Sequence, residues 1–213
     1  MPLFSNRIEA GQLLAEQLKH YANRPDVLVL ALPRGGVPIG FEITKKIHAP
    51  LDIFLVRKLG APGYEELAMG AIAMGGITVI NEDVIQNLHI TQEAIEKVIQ
   101  KEQAELERRN QLYRNNRPMP SIKNKIIILV DDGLATGATM RAAIKAVKTF
   151  LPKQIIVAVP VAALSTYLDL KKEVDDVVCL KTPEQLYSIG AWYAEFPQLE
   201  DEEVLRLLKI PTQ

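Results

Sequence analysis

Residues 125–141 read KIIILVDDGLATGATMR, and this stretch decides the fold. Ile126 to Val130 are five bulky apolar residues, β-branched except for Leu129. Such a run is too short for a membrane and suits a strand buried on both faces, as in a parallel sheet. Two carboxylates, Asp131 and Asp132, follow at the strand's carboxyl end, then small and hydroxyl residues, then a helical pattern from Met140. In open α/β sheets, ligands sit outside the carboxyl ends of the strands. A Gly/Thr turn opening a helix there offers backbone N–H groups, hydroxyl donors and a positive dipole end, which together suit a phosphate.

The two halves of the stretch make different demands. The turn attracts an anion; the carboxylates repel one but accept hydrogen bonds from neutral hydroxyls. A ribose 5-phosphate satisfies both. The bland alternative is that Asp132 or Thr136 caps the helix while Asp131 ends the strand. The complete order of strand, acid pair, Gly-x-x-x-Thr-Gly-x-Thr and helix favours the ligand.

Upstream, Arg7 to Tyr21 carries a helical stripe at Ile8, Leu13, Leu14 and Leu18. Asp26 to Leu32 predicts the first buried strand, followed by Pro33-Arg34-Gly35-Gly36, where two glycines permit close backbone approach and Arg34 adds a cation. A helix over Pro38–Ile47 leads to a second strand, Leu51 to Val56, with Arg57 and Lys58 at its end. The Gly/Pro loop from Leu59 to Glu66 reads as a mobile lid. Met69–Met74 and Ile77–Ile80 predict a hairpin around Gly75-Gly76.

The block VDDGLATGAT resembles the phosphoribosyl-diphosphate signature of the type I phosphoribosyltransferases. PRGG at 33–36 resembles that family's diphosphate-cradling loop, so Arg34, Gly35 and Gly36 carry over as substrate-binding. VRKLGAPG at 56–63 looks like the basic flexible loop of adenine-type members, which carries over Arg57 and Lys58, the latter also as a catalytic charge. The resemblance implies that Ala135, Thr136, Gly137, Ala138 and Thr139 hold the 5-phosphate. Asp131 and Asp132 would take the ribose hydroxyls and balance the sugar's developing charge, touching a Mg²⁺ only through ribose or water. The implied reaction displaces pyrophosphate from 5-phosphoribosyl diphosphate with a nitrogen acceptor, probed first among nucleobases. A homodimer is also implied.

Departures from the family matter for the acceptor. The tail, Pro183-x-x-Leu186 to Tyr193-x-Glu195, resembles the acceptor-base loop of purine types, with Trp192 nearby. Leu186 stands where an aromatic usually stacks on the base, so purine, pyrimidine and other acceptors stay open. Ala135 stands where hypoxanthine-guanine types place an acid, so no general base is nominated; Glu65 and Glu66 are candidates without distinction. Gly133 replaces a usually apolar residue, which is expected to loosen the loop.

The 213 residues suffice for one full core, with 48% apolar residues and a net charge of −1. That balance argues against whole-protein attraction to nucleic acid or anionic lipid. A lone Cys179 in an apolar strand pattern reads as a buried, inert thiol compatible with a reducing cytosol. No basic-plus-apolar leader or spanning run is seen, so a cytoplasmic location is expected. Three histidines and one cysteine without ligand spacing argue against a zinc site.

Asn81–Leu88 predicts a short helix and Thr91 the cap of a long charged one to about Tyr113, with Glu93–Lys97 and Glu105–Arg109 at favourable spacing. Its thin stripe, Ile95, Val98, Leu106 and Leu112, predicts one narrow packed face. Arg108, Arg109, Arg114 and Arg117 are interleaved with Glu102, Glu105 and Glu107 and no aromatic platform accompanies them, which favours a solvated helix over a nucleic-acid surface. Helices at 137–150, 163–172 and 200–209 and strands at 154–159 and 176–180 complete the chain. The aromatic tail (Tyr187, Trp192, Tyr193, Phe196) reads most simply as a satellite core.

The expected fold class is α/β: one domain over 1–213, a mainly parallel sheet flanked by helices, with an inserted helical segment at about 81–117 and an acceptor-side tail at about 180–213. The competing function is a non-catalytic regulator that senses phosphoribosyl diphosphate, marked by a partner surface for which only the 91–117 helix is a candidate. A dinucleotide-binding fold and a P-loop are excluded by the absence of G-x-G-x-x-G and of a G-K-[S/T] ending.

Overall fold

A computed structural model describes residues 3–209. Its centre is a five-stranded sheet in the order β2 (Leu51–Ile53), β1 (Val27–Ala31), β6 (Ile126–Val130), β7 (Gln154–Val161), β8 (Asp176–Lys181). Every pairing in this sheet is parallel. β1 and β6 are buried at every position, so both read as unbroken apolar runs rather than as alternation.

Alternation still decides which layer each residue meets. Val27, Val29, Ile126, Ile128 and Val130 pack with α1 (Arg7–Gln17) and α2 (Gly36–Ile47). Leu28, Leu30, Ile127 and Leu129 face the opposite layer. That layer includes α5 (Ala138–Lys148), with Ala142, Ala143, Ala146 and Val147 inward as expected. It also holds a three-stranded antiparallel sheet of β3 (Val56–Ala61), β4 (Tyr64–Ala73) and β5 (Ile77–Ile80).

The second strand is shorter than expected. β2 ends at Ile53, buried Phe54 makes a last bond to β1 through N to Ala31 O at 2.9 Å, and β3 starts a new sheet at Val56. Arg57 and Lys58 therefore lie inside an antiparallel strand, not at the end of a parallel one. The expected lid is likewise a hairpin: Ala61 pairs with Tyr64 across Pro62-Gly63, and Gly63 has φ +79. Proline followed by a left-handed glycine is the residue pair of a tight turn. A register shift at Gly60 bends the hairpin. The β4–β5 hairpin around Gly75-Gly76 is as expected, with both glycines at positive φ.

The α1 stripe is phased differently from the sequence reading. Leu14 and Leu18 are buried, but Ile8 and Leu13 are exposed, and Arg7, Ala10 and Gly11 complete the buried face. The cause is close helix packing: a Cβ on Gly11 would lie 3.0 Å from Ile39 Cα of α2. A face built from small residues has little hydropathy to reveal it.

α3 (Glu82–Asn87) precedes α4 (Gln92–Arg114), whose Thr91 hydroxyl accepts from Ala94 N at 3.3 Å as the predicted cap. The Glu93–Lys97 and Glu105–Arg109 pairs both form at 2.7 Å. Ile95 and Leu106 are buried against β3 and β4, with Val98 and Leu112 beside them. Arg114 corrects the solvated reading at the helix end. It is 1% exposed, pairs with Asp52 of β2, and donates to the carbonyls of Arg117 and Pro118. α6 (Leu164–Glu173) and α7 (Asp201–Lys209) close the chain. Among the described residues no helix is long and apolar enough to cross a membrane.

Candidate active site

Neighbouring strands bring the two singled-out loops together. Ala31 of β1 is in register with Val130 of β6, and Leu32 N donates to Val130 O at 2.8 Å. Between β1 and β6 the chain order of the sheet reverses, the crevice where open α/β sheets bind ligands. Pro33–Gly36 and Asp131–Gly137 therefore lie side by side, and the Pro33–Arg34 peptide is cis.

Glycine is required here by proximity. A Cβ on Gly35 would stand 2.1 Å from Asp132 Oδ2, and one on Gly36 would stand 2.3 Å from Val130 O. The PRGG turn thus touches the acid loop itself, with Gly36 N donating to Leu32 O at 3.0 Å within the turn. Gly137, at φ +70, is the N-cap of α5 and has no side-chain cap; only a 3.4 Å contact from Ala138 N to Thr136 Oγ1 approaches the capping role considered for Thr136.

The acid pair is held asymmetrically. Asp131 Oδ1 accepts from Asp132 N at 2.9 Å. Burial, and then the charge of Asp132, pushes the Asp131 carboxyl well above the usual carboxylate range. Burial also raises Asp132, but the Arg7 guanidinium opposes it. Arg7 Nε donates to Asp132 Oδ2 at 2.9 Å, Nη1 donates to Pro197 O at 2.8 Å, and the guanidinium lies 3.7 Å from the Phe196 ring centroid. Tyr193 OH donates to Asp132 O at 2.6 Å. The tail and the first helix therefore fix the second acid.

Other expected residues divide between two sides. Thr139, Pro33 and Arg57 meet around a small cleft of about 20 Å³. Arg57 also reaches Glu102 of α4, at 2.7 Å from Nε. Successive strand side chains point to opposite faces, and Lys58 accordingly lines a different cavity, with Thr136 and Ala138. The Arg-Lys pair does not act as a unit. Arg34 lies 3.7 Å from Asp201 of α7, whose carboxylate also accepts from Tyr113 OH. Ala135 is joined to α6, its carbonyl accepting from Thr166 Oγ1 at 2.6 Å. Glu65 is exposed on the β3–β4 hairpin, and the Glu66 side chain lies outside the described residues.

On the acceptor side, Trp192 is half-buried in a satellite core with Phe4, Tyr193 and Phe196, as the simplest reading expected. Leu186 is half-buried and Tyr187 is 91% exposed. Ile189 reaches the acid loop. A Cβ on Gly133 would meet Ile189 Cγ2 at 2.6 Å, and the Gly133–Leu134 segment is tied to β7 through Leu134 N to Val161 O at 2.9 Å. The glycine makes room for the tail.

No group of three or more potential ligands among the described residues could hold a metal by itself. Two adjacent carboxylates at a ligand crevice instead fit a Mg²⁺ that keeps waters and takes substrate oxygens. Cys179 lies in β8, and burial pushes its thiol up to about 11, so it is no nucleophile at neutral pH.

A phosphoribosyl transferase domain model matches residues 5–191. The chain belongs to that family. Two relatives from Mycobacterium tuberculosis strains CDC 1551 and H37Rv, provisionally named phosphoribosyl transferases, are each 40% identical over 208 residues, covering 98% of this chain and 47% of theirs. The chain thus spans about half the length of the curated relatives it matches. The crystal structure of TT1426 from Thermus thermophilus superposes with a TM-score of 0.88 at 38% identity, covering 98% of both chains. AQ2163 from Aquifex aeolicus, at 12% identity and a TM-score of 0.54 over 88% of this chain and 85% of its own, shares the fold. The acid loop and the PRGG turn both fall within the span matched to the phosphoribosyl transferase family.

Sequence reasoning missed Arg7, Glu102 and Asp201, and it read Ile189 and Tyr193 as part of the acceptor-side tail without their contacts to Gly133 and Asp132. Arg7 had one signal, a cation on the inward face of a predicted helix. The others are set by long-range packing and carry no local pattern.

Proposed function

We propose that this domain transfers a phosphoribosyl group from 5-phosphoribosyl diphosphate to a nitrogen nucleophile of the nucleobase class, releasing pyrophosphate. The observation that carries the reading is the contact of the PRGG turn with Asp132 at the β1–β6 crevice. It sets an anion-binding turn against a diol-binding acid pair, with a second anion-binding turn on the same loop.

The Ala135–Thr139 loop holds the 5-phosphate through its amides and the Thr136 and Thr139 hydroxyls. Asp131 and Asp132 accept the ribose hydroxyls and offset positive charge as the bond at C1 loosens. Arg34 and the Gly35 amide receive the leaving diphosphate, with Arg57 beside them at the Thr139 cleft; Gly36 N already donates to Leu32 O at 3.0 Å, so Gly36 serves by letting the turn approach the acid loop. Lys58 lines the cavity behind the loop, so it is not assigned to the reacting centre. A Mg²⁺, when bound, would supply neutralisation of the donor's negative charge. Asp131 and Asp132 would hold it through ribose or water. The domain is expected to work as a cytoplasmic homodimer.

The test is pyrophosphate release from 5-phosphoribosyl diphosphate and Mg²⁺ against a panel of purines and pyrimidines, with Asp131→Asn/Asp132→Asn as control. Release with one base and loss in the control support the assignment. Tight donor binding with no release for any base removes the nucleobase class.

A further inference from the structure

Between the antiparallel sheet and one face of α5 lies a cavity of about 300 Å³. Arg141 and Lys145, one helical turn apart, form one wall, and Lys58 of β3 contributes a third cation. Thr136 and Asn81 add neutral polar groups, while Val79, Ile80, Gly70 and several alanines make the remaining surface apolar. Among the described residues lining it there is no carboxylate.

The cations are organised differently from one another. Arg141 pairs with Glu173 and lies 3.5 Å from Asp169, which fixes its guanidinium from the α6 side. Lys145 is exposed and makes no ion pair among the described residues. Asp131, Asp132, Gly35 and Thr139 take no part in the lining, so the ribose–diphosphate side of the proposed donor site does not account for this space.

We propose that this cavity is a second anion site, taking a phosphomonoester on a small apolar or aromatic body, such as a nucleoside monophosphate. Cations with neutral donors suit a dianion, the apolar wall suits the body, and the volume sits at the small end of ligand sites, too small for a polymer. Thr136 and Ala138 belong to both the cavity wall and the acid-pair loop. Occupancy therefore restrains that loop and alters the KM for the donor; this consequence, unlike the binding, rests on the function proposed above.

The experiment is calorimetric titration of the full chain with adenosine monophosphate, with and without saturating 5-phosphoribosyl diphosphate and Mg²⁺. The expected result is one equivalent that persists at saturating donor, weakened about tenfold or more by Lys145→Glu and retained by Lys145→Arg, any further equivalent that the donor removes being the product's place in the donor site. Complete displacement by the donor, equal affinity of the persisting equivalent in Lys145→Glu, or no binding at millimolar ligand each overturns the proposal. If the donor itself fails to bind while Lys145-dependent binding persists, the transferase reading falls and the second site stands.

Discussion

Arg7 and Asp132, 125 residues apart in sequence, meet at 2.9 Å, and the same guanidinium also donates to the Pro197 carbonyl. The first helix, the acid loop and the tail thus share one cation. Arg7→Gln removes its charge while Asp132 stays mostly buried. The expected outcome is a rise of about 10- to 100-fold in donor KM, partly restored by Arg7→Lys. Without the guanidinium, Asp132 is raised further by burial, so the acid limb of the pH–rate profile moves to higher pH. Steady-state kinetics across pH reads both effects.

Asp131 sits where burial and its neighbour's charge disfavour ionisation. Its raised folded value means that ionisation costs stability: both states are protonated below the unfolded value of about 4, and stability is lost as pH rises through the folded value. Asp131→Asn should therefore abolish transfer yet raise Tm at neutral pH. The gain should shrink as pH falls from the raised folded value and be gone below about pH 4. Thermal melts at several pH values check this, and a lower Tm at pH 7 would contradict the assigned cause.

Gly35→Ala and Gly36→Ala separate two kinds of crowding. The first Cβ meets a carboxylate side chain, the second a strand carbonyl. A side chain can turn away more easily than a strand can shift. Gly36→Ala should lose more stability, about 1–3 kcal/mol, while Gly35→Ala should mainly weaken donor binding by displacing Asp132. Denaturant unfolding and donor titration read the two losses separately.

Gly133 and Ile189 form a testable pair. Gly133→Ala drives a methyl into the Ile189 side chain, and Ile189→Ala should relieve it. The double variant should recover part of the loss, with a coupling of about 0.5–3 kcal/mol. Additive losses would show that the tail does not press on the acid loop.

What was legible follows from which forces act locally. Ile126–Val130 and Asp26–Leu32 announced their strands because a strand buried on both faces admits little except apolar residues. The acid pair and its turn were legible because chemistry at a strand end needs particular residue types in order. The boundary between β2 and β3 was not, because Phe54 and Leu55 are as apolar as a strand and carry no turn residue. The α1 face was misphased because Ala10 and Gly11 pack by being small. Arg7, Tyr193 and Ile189 act across long sequence separations, and only the topology of the sheet brings them to Asp132 and Gly133.

Arg114 gives α4 two unequal ends. Its guanidinium is enclosed against Asp52 and the carbonyls of the chain just beyond the helix, whereas the residues ahead of Ile95 carry exposed or half-buried side chains and a single hydroxyl cap. Opening the far end would uncover a buried charge and its partner; opening the near end uncovers little. Amide protons near Thr91 should therefore exchange with deuterium through local fraying, while those near Tyr113 should exchange only when the parallel sheet itself unfolds. A helix that looks from its composition like one solvated rod is, energetically, a loose arm rooted in the core.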